Sequence, residues 1–159
     1  MFTIETLHPD SAAAAVIVRA YLTDVASRWY GRPASLEEVD KALTEEPFDD
    51  LRGDSGCLLG VMEDGRAIAC AGVRFVEGIA ELTKVFTLPT ERGRGAGTLL
   101  LRAVEQLCRD REVSTIRLDT RAELAEACAL YERLGFARVE PFNAEPYSDR
   151  WYAKALDPA

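Results

Sequence analysis

The chain is poor in the groups that metal and nucleophile chemistry need. It has 159 residues and one histidine, His8, and its four cysteines, Cys57, Cys70, Cys108 and Cys128, form no CxxC pair. A zinc site is therefore hard to assemble, and the cysteines read as reduced, mostly buried small hydrophobes. No apolar run approaches the length that crosses a bilayer. The first residues, MFTIETLHPD, also lack the basic and then apolar pattern of a secretory signal, so a cytoplasmic location is expected. Positive charge is scarce as well: 19 Lys and Arg stand against 27 Asp and Glu, a formal charge of -8. That balance argues against a nucleic-acid partner and leans toward a cationic or amine-bearing small molecule.

What is present suits one soluble core. Hydrophobic residues make up 48% and charged residues 29%, and no linker, repeat or low-complexity segment divides residues 1–159, which reads as a single domain. Phe2 to Leu7 alternates like a half-buried strand, and His8-Pro9-Asp10-Ser11 supplies helix-start chemistry for a helix from Ala12 to about Arg28. Ser35 and Glu38 form a capping box for a second helix, Leu36 to Glu45. Three strands follow as an antiparallel meander, Cys57 to Glu63, Ala67 to Val76 and Ile79 to Leu88, turned at Asp64-Gly65 and Glu77-Gly78. Leu99, Leu100, Ala103, Val104, Leu107 and Cys108 mark a helix face. A strand at Val113 to Leu118, a helix at Arg121 to Leu134 closed by Gly135, and strands at Phe136 to Glu140 and Arg150 to Leu156 complete a mixed α/β (α+β) order.

The segment Thr87 to Gly97, TLPTERGRGAG, carries the functional signal. Gly93, Gly95 and Gly97 with small Ala96 between them expose consecutive N–H groups at a helix N-terminus, a ready anion cradle. Arg92 and Arg94 add charge for further phosphate oxygens. Spacing removes two readings: no lysine follows Gly97, so this is no Walker A loop, and GxGxxG is neither matched nor placed in a first strand-to-helix turn.

The run Arg92 to Gly97 after Leu88-Pro89, together with Leu130-Tyr131-Glu132-Arg133-Leu134-Gly135-Phe136 downstream, resembles the GNAT superfamily of acyl-CoA N-acyltransferases. The resemblance implies a GNAT-like fold: a mostly antiparallel, splayed sheet of six to seven strands with about four flanking helices. It implies acetyl-CoA as acyl donor, its pantetheine arm along the backbone of Val85, Phe86 and Thr87 and its pyrophosphate on Arg92, Gly93, Arg94, Gly95, Ala96, Gly97 and Thr98. It further implies Glu81 as proton acceptor and Tyr131 as donor to the departing thiolate. The Asn that family members often carry seven residues before this tyrosine is Leu124 here, which weakens any cofactor contact from that helix.

Acceptor specificity is assigned by the same resemblance to the first two helices and the last loop, here with Trp29, Tyr30, Phe142, Asn143 and Tyr147 as aromatic and polar walls. Glu45, Glu46, Asp49 and Asp50 read as a solvated acidic loop. The function expected is acetylation of a primary amine on a small molecule or amino acid by direct transfer in a ternary complex, without a metal, with a homodimer possible. Two alternatives stand beside it: a protein acetyltransferase acting on an N-terminal amine or lysine, and a catalytically silent acyl-CoA-binding module.

Overall fold

The computed structural model describes residues 1–157. It contains seven strands and four α-helices in the order β1 (Thr3–Thr6), α1 (Ala12–Tyr30), α2 (Leu36–Glu45), β2 (Gly56–Glu63), β3 (Arg66–Val76), β4 (Ile79–Thr87), α3 (Ala96–Asp110), β5 (Thr115–Thr120), α4 (Ala125–Arg133), β6 (Ala137–Arg138) and β7 (Arg150–Ala155). The mixed α/β class and the element order match the sequence reading.

Local chemistry explains most boundaries. Ser11 accepts a hydrogen bond from the Ala14 amide at 3.2 Å and starts α1, which runs to Tyr30 because Gly31 takes the left-handed cap with φ 71°. Trp29 and Tyr30 thus stand on the last helical turn rather than in the loop expected there. At α2 both arms of the capping box close, with Glu38 Oε1 accepting from the Ser35 amide at 2.8 Å and Ser35 Oγ from the Glu38 amide at 3.1 Å. The two hairpin turns have positive φ at both central residues, Asp64-Gly65 and Glu77-Gly78, the geometry that matches strand twist. Helix α4 begins four residues later than expected, since Arg121 to Leu124 form a turn closed by the Leu124 amide on Arg121 O.

The strands form one sheet in the order β1-β2-β3-β4-β5-β7-β6. All neighbours are antiparallel except β4 and β5, which are parallel and register at only two pairs, Ala80 with Ile116 and Glu81 with Arg117. Beyond Glu81 the two strands separate. Helix α1 packs on one face over Leu58, Cys70 and Phe86, and α3 and α4 pack on the other over Val61, Ile68, Ile116 and Tyr152. All four cysteines are free and buried, as small hydrophobes should be. Among the described residues no helix is long and apolar enough to cross a membrane.

Candidate active site

The splay between β4 and β5 opens a cavity of about 630 Å³ that reaches from Val85 and Tyr131 to Trp29 and Tyr147. A second irregularity shapes it. In the β3–β4 ladder Cys70 pairs with Phe86 and Gly72 with Thr83, so Ala71 alone opposes both Lys84 and Val85. This is a β-bulge, and Lys84 occupies it in the left-handed conformation with φ 54°. Its carbonyl, turned out of the ladder, accepts from Cys70 Sγ at 3.2 Å.

At the end of β4 the chain passes a 3-10 turn at Pro89–Glu91 and enters α3 through glycine. Gly93 and Gly95 have φ of 81° and 84°, and nothing lies within 4 Å of where a Cβ would stand on either. The loop therefore has room above it for a ligand, and its conformation disfavours any side chain. Helix α3 has no side-chain cap, and among the described residues no protein group accepts from the amides of Gly93, Gly95, Ala96, Gly97 or Thr98. Unmet donors converging at a helix N-terminus fit a pyrophosphate. Gly97 serves another purpose, because a Cβ there would come within 2.8 Å of Leu130 Cδ2 on α4.

The two loop arginines are both paired with carboxylates. Arg94 pairs with Glu63 at 2.7 Å and Glu91 at 2.6 Å, and stacks over the Phe2 ring at 4.6 Å. Arg92 donates to Thr87 O at 3.2 Å and faces Asp24 and Glu126 at 3.7 and 3.6 Å. In so acidic a chain carboxylates already surround both guanidinium groups, which leaves the loop amides as the free donors.

Within the cavity, Glu81 is held by Arg117, whose Nη2 and Nε lie 2.7 and 2.9 Å from one carboxylate oxygen. Tyr131 is 4% exposed, packs against Phe136 and Tyr152, and its hydroxyl has no hydrogen-bond partner among the described residues. Burial pushes its pKa well above that of an ordinary phenol, and Tyr21 nearby is raised for the same reason. Both phenols thus stay protonated donors at neutral pH. Trp29 and Tyr147 make an edge contact at 5.0 Å at the mouth, beside Tyr30 and Phe142.

Asn143 is not brought into the cavity. Its amide donates to Asp119 at 2.9 Å and accepts from Trp151 Nε1 at 2.9 Å, so it fastens the last loop to β5 and β7. Conversely, Glu45, Glu46, Asp49 and Asp50, read as a solvated loop, line the cavity wall. Sequence reasoning also passed over Tyr21, Lys84, Asp119 and Arg121, which line it too. Leu124 lines the cavity at the place where the expected asparagine is missing.

Comparison with known proteins settles the family. The model for the acetyltransferase (GNAT) family matches residues 20–136, most of the chain. The chain belongs to the GNAT acetyltransferase family. An uncharacterized N-acetyltransferase of Schizosaccharomyces pombe is 26% identical over 142 residues, spanning 87% of this chain and 83% of that protein. The ribosomal protein bS18-alanine N-acetyltransferase of Salmonella typhimurium is 34% identical over 116 residues, 72% and 75% of the two chains. Among solved structures, the PaiA N-acetyltransferase of Thermoplasma acidophilum in complex with coenzyme A superposes with a TM-score of 0.77 at 18% identity, covering 98% of this chain and 99% of that one. This GNAT protein is accordingly an acyl-CoA-dependent N-acetyltransferase, and its seven-stranded sheet with four helices is the family fold.

Proposed function

We propose that this acetyltransferase moves an acetyl group from acetyl-CoA to a primary amine on a small molecule or amino acid, with both substrates bound at once. The observation that carries the reading is that one continuous cavity touches the donor side, at Val85 and Tyr131, and the aromatic acceptor side, at Trp29, Tyr30 and Tyr147. Direct attack then needs no relay residue. The cysteines suit a relay poorly: burial pushes the Cys70 thiol up to about 12 and the Cys108 thiol up to about 11, so neither is ionised near neutrality. His8 pairs with Asp10 and is not among the residues that line the cavity.

Acetyl-CoA supplies an activated acyl thioester. In our reading the free peptide edge of Val85, Phe86 and Thr87 holds the pantetheine arm, and the amides from Gly93 to Thr98 hold the pyrophosphate. Arg92 and Arg94 act through the carboxylates they already pair with, as supports of the loop. When the amine nitrogen bonds to the acetyl carbon, the carbon–sulfur bond breaks, the amine loses one proton and the thiolate gains one. Glu81 receives the amine's proton through water, since Arg117 already holds one of its carboxylate oxygens, and Tyr131 donates to the sulfur.

A release assay for free CoA thiol across amines, amino acids and an alanine-starting peptide tests this. Tyr131→Phe and Glu81→Gln should each lower kcat about 10- to 100-fold with little change in KM for acetyl-CoA. Wild-type turnover in both variants would sink the assignments. The Salmonella relative, named for an alanine of ribosomal protein bS18, favours peptide acetylation as the second reading. Preference for the peptide would establish it.

A further inference from the structure

Lys84 combines features that each raise the energy of the folded chain. Its backbone is left-handed at φ 54°, a conformation strained for a residue bearing a Cβ. The residue is 3% exposed. Yet among the described residues its ammonium has no carboxylate within ion-pair distance and no hydrogen-bond acceptor. The carboxylates that could have served are engaged elsewhere: Asp50 is gripped by Arg74 at 2.6 and 3.1 Å, and Glu81 by Arg117. Glu46 influences Lys84 only from a distance. Among the described residues Arg121 Nε is the one fully enclosed polar side-chain atom without a partner, so the Lys84 ammonium opens on the cavity, where a ligand anion can pair with it.

The bulge decides where this cation goes. Ala80 and Leu82 belong to the core under α3, whereas Phe86 belongs to the core under α1. The extra residue in β4 makes that change of face possible and leaves Lys84 on the wall of the cavity, immediately before the strand edge that the donor occupies in our reading. Elsewhere on the wall Lys41, Arg74 and Arg121 pair with Glu45, Asp50 and Glu123, whereas among the described residues Glu46, Asp49, Asp119 and Glu145 lie outside any ion pair within 4 Å. Burial beside Asp119 and Glu46 even holds the Glu145 carboxyl above its ordinary range. Of the four cationic side chains on the wall, Lys84 alone lacks a carboxylate partner among the described residues, and the unpaired acids around it make the cavity dipolar.

We propose that Lys84 binds a carboxylate of the acceptor, and that the acceptor is a free α-amino acid or a similarly short amino-carboxylate. The inference rests on the acetyltransferase reading above and narrows it. The acceptor carboxylate pairs with the Lys84 ammonium, and its own ammonium is drawn in by the acidic wall before it loses a proton. Proximity of Lys84 to the donor strand requires that carboxylate and amine be close together in the acceptor. A peptide N-terminus, which bears an amide where the amino acid bears a carboxylate, does not meet this requirement.

The test compares α-amino acids with their amides and decarboxylated amines in the CoA-release assay, for wild type, Lys84→Met and Lys84→Arg. Wild type should prefer the carboxylates on the order of a hundredfold in kcat/KM, the usual effect of a desolvated charge pair. Lys84→Met should lose that preference through KM, with KM for acetyl-CoA unchanged, and Lys84→Arg should keep part of it. Thermal unfolding checks that the variants fold. Equal use of amides and acids by wild type, or a preference that survives in Lys84→Met, overturns the proposal while leaving amine acetylation intact. So does an acetyl group found on Lys84 itself after exposure to acetyl-CoA alone. If no amine is turned over, the function reading fails, and calorimetric titration of the CoA-bound protein with N-acetyl-amino acids and their amides decides the site separately. Binding that needs both the carboxylate and Lys84 supports it, and its absence overturns it.

Discussion

Lys84 concentrates the tension between stability and function at the scale of single residues. Burial lowers its pKa below that of an ordinary lysine, so the unfolded chain binds more protons than the folded one between the folded pKa and about 10.4. Stability contributed at this site therefore rises with pH through that window, and the penalty is full at lower pH. Lys84→Met should stabilise the fold by about 1 kcal/mol near neutrality, with the gain shrinking as pH rises toward 10. Chemical denaturation of both proteins at several pH values checks the sign. Tyr131 is the opposite case: with no partner for its hydroxyl, Tyr131→Phe should leave the unfolding midpoint within about 0.5 kcal/mol of wild type while lowering turnover. The motif that singled out Tyr131 was legible in sequence. Lys84 was not, because a bulge leaves no fixed pattern and a lysine in a strand ordinarily faces water.

At the scale of elements, the helix that opens on Gly95 joins two different uses of glycine. Gly95→Ala meets no neighbour, so its cost is the left-handed backbone alone, about 1 kcal/mol. It should also weaken CoA binding in a calorimetric titration, because the amide array depends on that conformation. Gly97→Leu should instead strip α4 from α3, since even a Cβ reaches Leu130 at 2.8 Å, and its loss should appear first as a lowered Tm. Capping and turn chemistry made α1, α2 and both hairpins readable, because each boundary is set by residues adjacent in the chain. The start of α4 was expected too early and β6 too long, because the first depends on Asp149 in the loop before β7 and the second on pairing with β7.

For the whole molecule, the net charge of -8 gathers partly in one place: the loop after α2 and the loop before β7 bring carboxylates from distant parts of the sequence to one cavity. An acceptor with an ammonium group should then show kcat/KM falling as ionic strength rises, more steeply than KM for acetyl-CoA, in assays across a salt series. Saturating CoA at about 100 times its Kd should raise stability by ~2.7 kcal/mol, seen as a higher Tm. The sequence by itself determined the family, the element order and the glycine loop that opens α3, because glycine spacing, caps and the segment around Tyr131 are local and leave their chemistry in consecutive residues. Only the tertiary structure decided what the glycine loop's neighbours do. It turned Arg92 and Arg94 to carboxylates, tied Asn143 into a loop, locked Glu81 to Arg117 and placed an unpaired Lys84 at the bulge. Those outcomes depend on which charges meet across the sheet, and strand pairing sets that distance rather than separation along the chain.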